Sequence, residues 1–190
     1  MMAIILASGS PRRKQLLEML GLEFQVIPAK GEEVIPHGAG PDEAVQALSA
    51  QKAASVAAER PAEDVIIAAD TIVWYNGAIL GKPRDEQEAA RMLSSLSGNT
   101  HTVYTGVTVR KGDTVVTGAE ETQVRFRKLS GREIDAYIAT GEPMDKAGAY
   151  GAQGLASLFV EGIDGDFFNV MGLPVCRLGK MLKEVGVVLL

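Results

Sequence analysis

The chain has 190 residues, of which 46% are hydrophobic and 23% charged, and its net charge is −5. That is the balance of a water-soluble globular protein, and its acidity argues against a nucleic-acid polymer as partner, because polymer binders present a basic face. A single nucleotide needs only a local group of cations and is not excluded.

In chain order, residues 3–7 read as a short buried strand that stops at Ser8-Gly9-Ser10. Ser10 suits an N-cap and Pro11 the first position of a helix. Leu16, Leu17 and Leu20 give that helix its apolar stripe, and Gly21 ends it. A strand over Glu23 to Ile27 follows, then a loop with Glu32-Glu33 and Pro36-His37-Gly38, and a helix from Asp42 to Glu59. Val65 to Tyr75 is an apolar strand interrupted by Asp70; Asn76-Gly77 is a type I′ hairpin turn and Ala78 to Leu80 the return strand.

A helix from Asp85 to Leu96 precedes two strands, Thr102 to Arg110 and Thr114 to Arg127, joined by Lys111-Gly112-Asp113. Ser130 and Glu133 form a capping box opening a helix to Thr140. A glycine-rich segment through Gly154, two short strands meeting at Asp164-Gly165, and an amphipathic helix from Pro174 to Val185 complete the chain. Hairpins alternating with crossover helices predict a mixed α/β fold with a mixed sheet flanked by helices. With no internal repeat or long linker, one domain over residues 1–190 is expected. The lone Cys176 precludes an intrachain disulfide and fits a reducing, cytoplasmic setting. The apolar start is too short for a signal peptide, and no run of about 20 apolar residues offers a membrane span.

Several residues break these patterns. Arg12, Arg13 and Lys14 crowd the first turn of a helix, where the dipole favours negative charge. With the helix N–H groups and the hydroxyl of Ser8 they make a phosphate-binding corner. Asp70, inside an apolar strand, must be paired, hydrogen-bonded or bound to a metal; it either caps a neighbouring turn or serves catalysis or a metal. Lys52 shares a helical stripe with Val45, Leu48 and Val56, so it snorkels to the rim or points into a polar site. Regular hairpin pairing would set Lys82 opposite Thr71, unless pairing ends near Gly81.

Glu32 and Glu33 could join Asp70 as oxygen ligands for Mg²⁺. Asp145 and Lys146 lie among glycines, where backbone approaches a ligand closely, and the amide of Gln153 could read a base edge. Cys176, beside apolar residues of the last helix, reads as a packed thiol. His37 and His101 show no metal-ligand spacing or triad pattern. No Walker A sequence is present, and no G-x-G-x-x-G follows a strand. Cations for phosphates beside carboxylates for a divalent metal are the ingredients of phosphoryl-group chemistry.

The ordered motifs Leu-Ala-Ser-Gly-Ser-Pro-Arg-Arg (6–13), Gln-Lys-Ala (51–53), Ala-Ala-Asp-Thr (68–71) and Gly-Lys-Pro (81–83) run into Leu-Ser-Gly (96–98) with His101 and Tyr-Thr-Gly (104–106). Glu-Pro-Met-Asp-Lys-Ala-Gly-Ala-Tyr-Gly-Ala-Gln-Gly (142–154) and Met-Gly-Leu-Pro (171–174) complete the set. Together they closely resemble the Maf family of septum-formation-related nucleoside triphosphate pyrophosphatases. The resemblance implies hydrolysis of a nucleoside triphosphate to monophosphate and pyrophosphate, a divalent metal (Mg²⁺ or Mn²⁺), and often a homodimer. It also implies a two-lobed fold with a central cleft, similar to inosine triphosphate pyrophosphatases.

By the same resemblance the proton acceptor falls on Asp70, the phosphate corner on Ser8, Arg12 and Arg13, the lysines on Lys52 and Lys82, and the acidic metal position on Glu33. Arg12, Thr71 and Gln153 match the subgroup acting on dTTP and UTP rather than the one acting on 7-methyl-GTP. The loop after Glu33, Val34-Ile35-Pro36-His37-Gly38, is less acidic than in many relatives. A sugar nucleotidyltransferase, whose start Leu-Ala-Ser-Gly superficially resembles, and a nucleotide-sensing regulator of division are the competing readings.

Overall fold

A computed structural model describes residues 2–190. Its strands are β1 (Ile4–Leu6), β2 (Gln25–Val26), β3 (Val65–Tyr75), β4 (Ala78–Leu80), β5 (Thr100–Lys111), β6 (Thr114–Phe126) and β7 (Val160–Asp164). Its helices are α1 (Pro11–Met19), α2 (Pro41–Ala57), α3 (Glu86–Leu96), α4 (Gly131–Ile138), α5 (Phe167–Met171) and α6 (Val175–Glu184). The strands form one seven-stranded mixed sheet in the order β2-β1-β3-β5-β6-β7, with β4 paired to β3. β1 runs parallel to β2 and β3, while β3–β4 and β6–β7 are antiparallel. Among the described residues, no helix is long and apolar enough to cross a membrane.

The chain divides into two compact units. The first comprises Met1–Asp70, Thr105–Glu120 and Gly172–Leu190. Its core includes Ile5 of β1, Ala7 just after it, and Ile66 and Ala68 of β3, packed with Ala53 and Val56 of α2. α2 lies close on β5: a Cβ at Gly106 would sit 2.1 Å from the carbonyl oxygen of Val45. Asp64, just before β3, is buried and accepts from the Ala3 amide at 2.9 Å and from Arg60. These bonds, the Ala3 amide's foremost, hold its carboxyl below the usual range.

The second unit comprises Thr71–Tyr104 and Glu121–Met171. Here α3 buries Ala89, Leu93 and Leu96 at helical spacing, each leucine contributing about 2 kcal/mol by removal from water. Asp85 caps α3 by accepting from the Glu88 amide, and Ser130 with Glu133 forms the expected capping box of α4. Phe126, Tyr137, Tyr150 and Phe159 pack edge to face, with ring centroids 4.7 Å apart for Phe126–Tyr150 and 5.1 Å for Tyr137–Phe159.

Three sequence expectations are corrected. The second strand at Asp164-Gly165 is instead α5: the Asp166 carboxylate accepts from the Phe168 amide at 2.8 Å, and buried Asn169 donates to Val103 O and Thr122 Oγ1. These bonds outweigh the strand preference of the phenylalanines and valine. Cys176 is exposed rather than packed, because the buried stripe of α6 runs through Leu178, Met181 and Leu182. Ser10 occupies the N-cap of α1 in extended backbone, but its side chain makes no capping bond.

Candidate active site

The first group of site residues lies in the first unit. β1 ends at Leu6, and the chain turns through buried Ser8 into α1, whose first turn holds no acidic residue. Ser8 Oγ accepts from the Ser10 amide at 3.3 Å and from Arg13 Nη1 at 3.0 Å. Arg13 Nε donates to the Gly172 carbonyl at 2.8 Å. The guanidinium is thus strapped between the helix start and the chain after α5.

Desolvation lowers the Arg13 pKa to about 10, opposed first by Asp70, with Arg12 lowering it further and Glu33 raising it. It remains a cation at neutral pH, held among fixed polar partners and able to meet a phosphate. Arg12 stands half-buried beside it on the same helical turn.

The second feature is an ion cluster. Lys52 lies on the inner stripe of α2 with Val45, Leu48 and Val56, all three buried, and its side chain is only 16% exposed. Its ammonium bonds Asp70 Oδ1 and lies 3.2 Å from Glu33 Oε1. The lysine therefore points into a polar site, and Asp70, the last of six successive buried residues of β3, is paired there.

The Glu33 loop is fastened to the same helix. Gln51 Oε1 accepts from the Val34 amide at 3.0 Å, Gln51 Nε2 donates to the Val34 carbonyl at 2.6 Å, and Ser55 Oγ donates to the Lys30 carbonyl at 2.7 Å. Gln51 and Ser55 were not singled out in the sequence. Their four-residue spacing, which sets both on one helix face near Lys52, is the signal that points to them.

Among the described residues, no group of three or more His, Cys, Asp or Glu side chains is gathered to hold a metal. The site offers instead two carboxylates converging on a single positive charge. That fits Mg²⁺ or Mn²⁺, which take one or two carboxylates and complete their shell with water and substrate phosphates.

The remaining predicted residues lie in the second unit. The β3–β4 ladder ends at the Val73–Leu80 pair, so Lys82 stands beyond it, exposed, and is not paired to Thr71. Lys146 Nζ donates to the Glu142 carbonyl and to Asp145 Oδ1, both at 2.7 Å. Gln153 is exposed on the turn before Gly154. His101, absent from the predicted site, is buried against Phe126 and shares a 2.6 Å bond with the Tyr150 hydroxyl. Desolvation lowers its pKa to about 4, so it is neutral at pH 7.

Over residues 3–185 the sequence matches the family described as Maf-like protein. A dTTP/UTP pyrophosphatase of Bacillus cereus is 51% identical over 187 residues, 98% of this chain and 97% of that protein. A protein of the same description from Bacillus anthracis is 50% identical over 187 residues, again 98% of this chain and 97% of the relative. Among solved structures, the Staphylococcus aureus Ham1 protein aligns with 65% of this chain and 71% of its own at 12% identity, with a TM-score of 0.48.

Proposed function

The chain belongs to the Maf family, and from that premise we propose that it hydrolyses dTTP and UTP, and modified pyrimidine nucleotides of the same shape, to the monophosphate and pyrophosphate. The observation that carries this reading is the Lys52 cluster, in which Asp70 and Glu33 converge on one cation in the same unit as the Ser8–Arg13 corner. The names of relatives that share half of its residues over nearly its whole length support the substrate class. Arg12, Thr71 and Gln153 support the pyrimidine subgroup by their match to it.

In this reading Asp70 takes the proton of a water whose oxygen attacks the α-phosphorus. A phosphorus–oxygen bond forms there, the bond to the bridging oxygen of the β-phosphate breaks, and pyrophosphate leaves with the electron pair. Lys52 engages Oδ1 of Asp70 and so holds the carboxylate in place for the water.

Arg13, fixed by Ser8 and Gly172, binds phosphate oxygens, and Lys52 offsets charge developing in the transition state. Glu33 and Asp70 would hold the divalent cation, which neutralises triphosphate charge when bound. Arg12 and Lys82 would likewise stabilise charge on the phosphates and the leaving pyrophosphate; Asp145 and Lys146, set among glycines, would bind the substrate, and Thr71 and Gln153 would serve recognition of the base. The protein would work in the cytoplasm as one domain, as a homodimer, without a polymer or membrane partner.

The test is a panel of canonical and modified nucleoside triphosphates with Mg²⁺ and with Mn²⁺, assayed separately for pyrophosphate and orthophosphate. The expected result is pyrophosphate from dTTP and UTP with no acceptor present. Orthophosphate as first product, a requirement for an acceptor, or tight binding without turnover would each overturn the proposal.

A further inference from the structure

The segment from Glu142 to Leu155 carries Gln153, and one carboxylate organises it. Glu142 Oε1 accepts from the Tyr137 hydroxyl at 2.9 Å, and Oε2 accepts from the Leu155 amide at 3.1 Å. The Tyr137 oxygen in turn accepts from the Gly151 amide at 3.3 Å. The main chain on both sides of Gln153, at Gly151 and at Leu155, is therefore tied through Glu142 and Tyr137 to α4.

Two glycines leave room for the side chains that line this path. A Cβ at Gly154 would lie 2.2 Å from Glu142 Oε1, and one at Gly151 would lie 2.8 Å from Lys146 Cε. The segment's middle is pinned as well, by the Gly148 amide donating to the Gly81 carbonyl at 3.0 Å and by the buried Tyr150–His101 bond. A carboxylate clamped between a buried tyrosine and a backbone amide, with Gly154 leaving room for it, is more than a loop needs merely to stay folded.

We propose that Glu142, acting through Tyr137, is the positioning residue for base recognition, holding the chain under Gln153 so that its amide meets one hydrogen-bonding pattern. This rests on the pyrimidine triphosphate reading above. A glutamine amide offers one acceptor oxygen and a donor nitrogen. Thymine and uracil present an N3–H donor beside an O4 acceptor, whereas cytosine presents an N3 acceptor beside an amino donor. A glutamine on a loose chain turns to suit either base. On a held chain it fits one and leaves the other with unpaired polar groups, which is how large discrimination arises.

The experiment measures kcat and KM for dTTP and for dCTP in the full chain and in Tyr137→Phe, Glu142→Gln and Gln153→Ala, with thermal unfolding of each. Tyr137→Phe keeps the ring on Phe159 and loses only the hydroxyl. Glu142→Gln keeps one acceptor and sets an amino group against the other donor. Both are expected to lower the dTTP-to-dCTP ratio of kcat/KM by roughly tenfold or more. The loss falls mainly on the KM for dTTP, with kcat within about threefold.

An unchanged ratio in both variants, while Gln153→Ala collapses it, overturns the positioning role and leaves the hydrolase reading standing. An unchanged ratio in Gln153→Ala removes the base reader and overturns the inference at its root. Absence of pyrophosphate from both nucleotides with the unmodified chain overturns the hydrolase reading and this inference together.

Discussion

Lys52 shares the inner stripe of α2 with three buried aliphatic residues, and its ammonium ends on two carboxylates. A largely buried lysine of this kind is held by its partners, and buried Asp70 by the lysine, since an unpaired charge there would be costly. Asp70→Asn keeps the shape and a hydrogen-bond acceptor for Lys52 but removes the base. It is expected to lower kcat by about 10²–10⁴-fold while the protein still unfolds cooperatively; near-normal turnover of this variant in a pyrophosphate-release assay would contradict the role.

Lys52 and Asp70 were legible in the sequence because each breaks an apolar pattern. Gln51 and Glu142 were not. Neither interrupts an apolar stripe, so a side chain that clamps distant backbone looks the same there as one in water. Cys176 was misread because its apolar neighbours Val175 and Leu178 do not reveal which way a single helical position turns; two residues before Leu178, it faces out.

At the scale of elements, the helix that carries Gln51, Lys52 and Ser55 is set on the sheet by Gly106 of β5. A Cβ there meets the Val45 carbonyl carbon at 2.3 Å and the Gln46 nitrogen at 2.7 Å, and main chain cannot swing aside as a side chain does. Gly106→Ala should therefore displace α2 and cost about 3 kcal/mol or more, read as a lowered urea midpoint with a parallel loss of activity. A midpoint equal to that of the unmodified protein would show that α2 tolerates the shift.

The β3–β4 hairpin and the capping box of α4 follow their local signals closely, since Asn76-Gly77 and Ser130 with Glu133 act within a few residues. α5 does not. Its sequence, Phe-Phe-Asn-Val-Met, favours a strand locally, and it becomes a helix through Asp166 at its start and the bonds of Asn169 to β5 and β6. Interactions across 66 and 47 residues of chain leave no mark on local periodicity.

For the whole molecule, alternating hairpins and crossover helices sufficed to predict a mixed α/β sheet, because that inference needs only the order of elements. The division into two compact units is another matter. Each unit gathers separated stretches of chain, and long strands continue from one unit into the other, so no composition shift or linker marks the boundary.

Attack of water on the α-phosphorus is tested most directly by turnover of dTTP in ¹⁸O-labelled water, with mass analysis of both products. One label is expected in the monophosphate and none in the pyrophosphate; label in the pyrophosphate instead would place the attack at the β-phosphorus and overturn the role of Asp70 as base for the α-phosphorus.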